Sequence, residues 1–175
     1  GIDPDELYDT RQIVQEVTDY FLDNKAFSDL PRKYKVSISG CPIHCNQPEI
    51  NDLGIQAVRR IKNGRQEIGF HVRVSGGLST QPYFAQRLDI FVTPEQVPDV
   101  CRAVTETFRD DGYRSRRHHA RLQFLGADGG EGELPGGRMQ LLAWPPEPPV
   151  LCAAPVGQRQ RAPLGLPLQP REGRP

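Results

Sequence analysis

The chain has 175 residues, of which 37% are hydrophobic, and it carries 22 basic and 22 acidic side chains. This length accommodates one domain with a core, and the zero net charge excludes a global field that would draw the protein to nucleic acid or to an anionic membrane. Because no apolar run approaches the roughly 18 residues that span a bilayer and the polar start lacks a signal peptide, we expect a cytoplasmic protein whose cysteines are reduced thiols or metal ligands.

The first predicted element is a helix that begins after Asp9 or Thr10 as its N-cap and ends near Lys25. Its apolar residues recur at helical spacing, so that one face can pack against a sheet; they are Ile13, Val17, Tyr20 and Phe21. The segment before it, residues 1–7, has no Met and leads abruptly into the helix. We therefore expect this segment to be the cut edge of a fragment.

A half-buried strand is predicted over residues 33–39, where apolar side chains alternate with basic or hydroxylated ones. Lys33 and Lys35, which follow Arg32 at its entry, would project from the same face about 7 Å apart. Two ammonium groups at this spacing could share one oxyanion, stabilise its charge and supply protons as oxygen atoms leave. Solvated lysines that protect a sheet edge give the same pattern, so the spacing alone leaves both interpretations open.

The strand is followed by a pair of thiols in a Cys-x3-Cys unit, Cys41 and Cys45, with His44 between them. Thiolates at this spacing suit an iron-sulfur cluster or zinc. Two ligands are not four, however, and Cys101 falls on the apolar face of a later helix, where we expect a small core residue. A self-contained metal site is therefore not expected.

A hairpin is predicted around the turn Lys62, Asn63, Gly64, with residues 55–61 and 68–74 as its arms, because Asn-Gly supplies the positive φ angles of a tight turn. The second arm ends in a loop of small residues, VSGGLST, at positions 74–80. Its backbone amides could approach carboxylates or phosphates closely. It lacks the lysine of a P-loop and the spacing of a dinucleotide fingerprint, so an ordinary turn is an equally open interpretation.

A short strand is predicted over residues 87–92, and a capping box, Thr93-Pro94-Glu95-Gln96, then predicts a helix start. The apolar face of this helix consists of Val97, Val100, Cys101, Val104 and Phe108. Gly112 is placed to end it as a left-handed C-cap. The basic cluster that follows could bind an acidic cofactor, a partner or nucleic acid, or begin a solvated helix; it consists of Arg114, Arg116, Arg117, His118, His119 and Arg121.

This order of elements predicts an α+β domain over residues 1–125, a mixed sheet with helices packed on one face. The composition changes in residues 126–175, which hold ten of the seventeen prolines and nine of the seventeen glycines but no lysine, isoleucine, asparagine, phenylalanine or tyrosine. Such a segment cannot bury a core. It predicts either a disordered Pro/Gly-rich tail or a frame-shifted translation of GC-rich DNA, in which Trp144 and Cys152 have no functional meaning.

Five stretches in this order resemble the first of the two homologous halves of ferredoxin-dependent, siroheme-containing nitrite and sulfite reductases. They are GIDPDELYDTR at the start, LPRKYKVSISGCPIHC from residue 30, PEINDLG from 48, GFHVRVSGGLS from 69 and FVTPEQVPDVCRAVTETFRDDGYRSRRHHARLQFL from 91. The resemblance implies a six-electron reduction of sulfite to sulfide or of nitrite to ammonia. It also implies siroheme coupled through a cysteine thiolate to a 4Fe-4S cluster, and ferredoxin or a similar carrier as electron donor.

The resemblance assigns roles to particular residues. Lys33 and Lys35 would face the substrate, whereas the residues near the siroheme carboxylates would be Arg32, Gly76, Gly77 and Ser79. Cys41 and Cys45 would be the non-ligating copy of a cluster motif, since the cluster ligands of the family lie in the second half, which is the remainder of the reductase. Lysine rather than asparagine at position 35 favours sulfite over nitrite.

Two other hypotheses remain open. The chain could be a small metal or sulfur carrier that uses Cys41 and Cys45, which iron or zinc stoichiometry would reveal. It could also be a truncated fragment without activity. On the reductase hypothesis, the fragment by itself is expected to be inactive.

Overall fold

The computed structural model describes residues 3–127. Its helices and strands are α1 (Arg11–Phe21), β1 (Val36–Ser39), β2 (Leu53–Lys62), β3 (Arg65–Val74), β4 (Gln86–Arg87), α2 (Val97–Asp111) and α3 (Leu122–Ala127). Apart from residues 126 and 127, the predicted tail with Trp144 and Cys152 lies outside the described residues. Within residues 3–127, no helix is both long enough and apolar enough to cross a membrane.

The four strands form one mixed sheet in the order β1-β2-β3-β4, with β1 parallel to β2 and the other neighbours antiparallel. β2 and β3 make the predicted hairpin, in which Lys62 pairs with Arg65 across a two-residue turn. Asn63 and Gly64 hold this turn at φ angles of 52° and 73°, as the Asn-Gly sequence predicts. The hairpin prediction is confirmed, and both arms are longer than predicted.

One continuous core lies between this sheet and the helices. It contains alternate residues of the hairpin, which are Leu53, Ile55 and Ala57 from β2 and Phe70, Val72 and Val74 from β3. Ile13 and Val17 of α1 pack against it, and all five predicted apolar residues of α2 are at most 3% exposed. The predicted capping box is also present, with the Thr93 amide donating to Gln96 Oε1 at 2.9 Å. The predicted α+β class is confirmed.

The ends of three predicted elements were wrong for local reasons. α1 ends at Phe21 rather than near Lys25, because Asp23 at a φ of 56° turns the chain. β1 begins at Val36, three residues later than predicted. In place of the strand predicted over 87–92, the structure has the two-residue strand β4 and an isolated pair at Val92. The strand is interrupted because the register against β3 shifts by two residues between the pairs Arg73–Arg87 and Phe70–Val92.

Gly112 ends α2, but not in the predicted left-handed conformation. Its φ and ψ are −66° and 140°, which any residue can adopt. A Cβ atom here would lie 2.3 Å from the Phe108 carbonyl oxygen and 2.6 Å from Pro31 Cγ. The position requires glycine because the chain passes close to its neighbours here. Gly112 thus ends the helix as predicted, but for a steric reason and not through a left-handed conformation.

Candidate functional site

The two candidate substrate lysines lie in the irregular segment just before β1, where both side chains are exposed. Tyr34 between them turns inward and stacks on Phe108 of α2, with ring centroids 5.5 Å apart. The alternation that the sequence predicts is therefore present, although these residues do not belong to the strand. Arg32 is half-buried beside them.

The backbone of Lys35 is held on both sides. Its amide donates to Asp52 Oδ2 at 2.9 Å, and its carbonyl accepts from the Leu53 amide at 3.0 Å. The first of these bonds goes to a side chain instead of a strand partner, which explains why β1 begins at Val36 and does not include Lys35. The ammonium group of Lys35 thus extends into solvent from a fixed point at the start of the sheet.

Asp52 is the residue that the sequence analysis missed. It is completely buried, and its Oδ2 atom also accepts from Arg121 Nη2 at 2.8 Å. Burial raises the pKa of this carboxyl above its ordinary value, while the Arg121 guanidinium and the Lys35 amide oppose that rise. Its local sequence, a single acid before an apolar strand, carries no signal of this role, although Asp52 stands inside the stretch PEINDLG.

The predicted glycine loop lies against the same aspartate. The Ser75 amide donates to the Asp52 carbonyl at 2.8 Å, and the Gly76 amide donates to the Asn51 carbonyl at 3.0 Å. Ser75 adopts a φ of 71°, which is uncommon for a residue with a side chain. The backbones of Lys35 and of the glycine loop are therefore joined through one residue, Asp52.

The glycines of this loop pack against the protein itself. A Cβ on Gly76 would lie 2.5 Å from the Glu49 carbonyl oxygen, and the Gly77 amide donates to the Tyr83 carbonyl at 2.9 Å. The structure thus gives a packing reason for glycine at position 76, and these amides already have acceptors. Ser79 is exposed. Cofactor contact through Gly76, Gly77 and Ser79 stays a prediction.

The predicted basic cluster does not act as one surface. Arg121 turns inward to Asp52, Arg114 bonds Asp29 at 3.2 Å and His119 stacks on Phe124, whereas Arg116, Arg117 and His118 are exposed. The adjoining residues hold the segment that follows the glycine loop: Gln123 Nε2 donates to the Gln81 carbonyl at 2.9 Å, and Phe124 contacts Tyr83, which pairs with Gly77, edge to face. This segment therefore supports the site and contributes one charge to it.

The thiol pair lies beyond the other end of β1. Cys41 is buried and Cys45 is exposed, and burial raises the pKa of the Cys41 thiol, with further increases from Asp3 and Cys45. Among residues 3–127, no group of three or more His, Cys, Asp or Glu side chains could hold a metal ion. Cys101 is fully buried in the core, as predicted, and burial raises its pKa to about 12.

Comparisons with known proteins match this part of the chain to one family. The family model for the nitrite and sulphite reductase 4Fe-4S domain matches residues 1–134. The "Sulfite reductase [ferredoxin] 1" of Mycolicibacterium paratuberculosis is 41% identical over 126 residues, which cover 72% of this chain and 22% of that protein. The assimilatory ferredoxin-dependent nitrite reductase of Haloferax mediterranei is 36% identical over 132 residues, covering 74% of this chain and 22% of that protein.

A solved structure shares the fold. The Mycobacterium tuberculosis NirA protein superposes with a TM-score of 0.67 and 41% sequence identity, over 73% of this chain and 22% of that one. The chain therefore spans about a fifth of the length of the curated relatives it matches.

Proposed function

The chain belongs to the nitrite and sulphite reductase 4Fe-4S domain family, and we propose that it forms the part of a siroheme-dependent, ferredoxin-dependent reductase that holds the substrate anion. The observation that carries this proposal is the pair of exposed lysines, of which Lys35 is tied by its backbone to Asp52 and through it to the glycine loop. The complete enzyme would reduce sulfite to sulfide or nitrite to ammonia. We place it in the cytoplasm, where its thiols would remain reduced.

Siroheme fits the residues around this site. Its ring is apolar and its edge carries carboxylates, and exposed apolar side chains stand in the glycine loop, Leu78 at 63%, and four residues after it, Phe84 at 78%. Arg32 would balance the carboxylates, together with contacts from Gly76, Gly77 and Ser79, whereas the two lysines would face the anion. Siroheme, when bound, supplies the iron at which the anion is reduced.

A 4Fe-4S cluster does not fit the described residues, because Cys41 and Cys45 supply two thiols where the cluster requires four ligands. We therefore propose that the remainder of the reductase supplies the cluster ligands. The same donor set argues against a metal carrier, since a buried thiol with a raised pKa is a poor ligand.

Lys33 and Lys35 would act on the anion through their charges and their protons. Each oxygen atom leaves as water and takes up two protons as two electrons arrive, so a donor must stand beside it throughout the reduction. Two ammonium groups can bind separate oxygens, stabilise the negative charge and pass on protons drawn from solvent. Their exposure to solvent allows this reprotonation.

Sulfite is the substrate that the two lysines favour, since a dianion with three oxygens gains more from a second positive charge than nitrite does. Nitrite is the second candidate. The observation in its favour is the nitrite reductase of Haloferax mediterranei, which is 36% identical to this chain.

The test uses a chimera in which residues 3–125 of this chain replace the matching part of the Mycobacterium tuberculosis sulfite reductase, which is 42% identical over 126 residues. With siroheme supplied and a reduced ferredoxin as donor, kcat/KM is measured for sulfite and for nitrite. Lys35→Asn is expected to lower the sulfite value about tenfold more than the nitrite value, because a charge-assisted bond is lost. Lys33→Ala is expected to lower both.

Lys25→Ala is the matched control, since Lys25 is equally exposed but lies on the short turn after α1. Both values should be unchanged in this variant. If Lys35→Asn and Lys33→Ala also leave both values unchanged, the lysines do not face the substrate and the proposal fails. Equal losses for the two anions would retain the site but remove the preference for sulfite.

A further inference from the structure

A single buried residue, Asp52, joins three segments that are far apart in the sequence, two through its carboxylate and one through its backbone carbonyl. Asp52 accepts from the Lys35 amide, 17 residues before it, and from the Arg121 guanidinium, 69 residues after it. Its carbonyl accepts from the Ser75 amide at 2.8 Å. These partners belong to the lysine segment (residues 32–35), the basic segment (residues 114–121) and the glycine loop (residues 74–80).

The neighbours of Asp52 reinforce the same junction. The Leu53 amide donates to the Lys35 carbonyl at 3.0 Å, and the Asn51 carbonyl accepts from Gly76 at 3.0 Å. The lysine segment and the glycine loop are therefore attached to consecutive residues, 51 to 53, at the start of β2. Backbone hydrogen bonds thus bring the two segments to one place, and the remaining amide of Lys35 is oriented by the Asp52 side chain.

The carboxylate of Asp52 is buried, and its partner Arg121 is largely buried. Its side chain is 0% exposed and the Arg121 side chain is 13% exposed, so the pair is shielded from solvent and screened little by salt. Hydrogen bonds to an ionised acceptor are shorter and stronger than neutral ones. A charged acceptor at this point holds the Lys35 amide more firmly than a neutral strand partner would.

From this geometry we infer that Asp52 is a positioning residue, whose carboxylate sets the place of Lys35 relative to the glycine loop without touching the substrate. Arg121 is its counter-ion and restricts its orientation. The inference rests on the proposed function only in the identity of the anion that Lys35 would bind.

The test uses the whole 175-residue chain and compares it with Asp52→Asn, which keeps the shape of the side chain and removes its charge. Amide hydrogen exchange is measured by NMR at Lys35 and, as an internal reference, at Val104 in the core of α2. Exchange at Lys35 is expected to rise about tenfold relative to Val104, since a bond to a charged group is lost. A general loss of stability would raise both equally.

Sodium sulfite is then titrated into both proteins, and its affinity is taken from the amide shifts of residues 33–35. Asp52→Asn is expected to weaken this affinity about tenfold, because the ammonium group of Lys35 no longer has a fixed origin. Asp29→Asn is the matched control, since Asp29 bonds Arg114 at the surface and should change neither measurement.

Unchanged exchange at Lys35 in Asp52→Asn overturns the inference. If this variant does not fold, Arg121→Gln decides, because it frees the carboxylate from one donor and should raise exchange at Lys35 about threefold relative to Val104; no rise overturns the inference. If the unmodified chain shows no shifts with sulfite, the proposed function loses its support, whereas the exchange measurement still decides the role of Asp52.

Discussion

At the scale of single residues, His71 of β3 is a buried histidine whose surroundings disfavour its charged form. It is 7% exposed, and burial lowers its pKa to about 4, with smaller contributions from Arg87 and Arg73 that Asp89 opposes. An unfolded histidine binds a proton near pH 6.5. Between about pH 6.5 and pH 4, the unfolded chain therefore binds a proton that the folded chain does not.

The sign of the resulting pH dependence follows from linkage. The contribution of His71 to the free energy of unfolding falls as pH decreases from about 6.5 to about 4, and it is constant above about 6.5. We therefore expect the stability of His71→Gln, relative to that of the natural chain, to be higher at about pH 5 than at about pH 7.5. Urea unfolding at the two pH values measures this difference. His118→Gln, at an exposed position, should show no such gain. An equal difference at both pH values would contradict the assignment.

At the scale of the elements, the hairpin turn isolates one backbone effect. Gly64 has a φ of 73°, and a Cβ placed on it would meet nothing within 4 Å. Gly64→Ala should therefore cost roughly 1 kcal/mol of stability through the left-handed conformation alone. Gly64→Asn should cost less, because asparagine tolerates this region. Urea midpoints measure both, and equal losses for the two variants would show that the conformation is not the cause.

The same elements show how far the sequence could predict the fold. The hairpin and α2 were predictable because the Asn63-Gly64 turn and the Thr93 capping box act within a few residues of themselves. The start of β1 was not, since the Lys35 amide is satisfied by a side chain 17 residues away. Residue types and a family resemblance indicated the lysines of the site, whereas the burial of Asp52 against Arg121 depends on tertiary contact.

At the scale of the whole molecule, the predicted domain boundary at residue 125 is open to a truncation test. Leu122 and Leu125 of α3 belong to the core and are at most 3% exposed. A chain that stops after Ala127 is expected to keep its free energy of unfolding. One that stops after Ala120 should lose at least about 4 kcal/mol, because two buried leucines are removed. Both are measured by urea unfolding. A large loss of stability in the chain that stops after Ala127 would place the boundary later in the sequence, where the family match extends to residue 134.

The Asp52 to Arg121 pair also bears on the order of folding. The hairpin turn brings adjacent residues together, whereas this pair closes a loop of 69 residues and bears a larger entropy of closure. We therefore expect the sheet to form early and Arg121 to dock late, so that Asp52 is buried only near the end. While Arg121 is still inside the ribosome, the nascent chain would therefore contain both lysines before the carboxylate that positions Lys35 has its counter-ion.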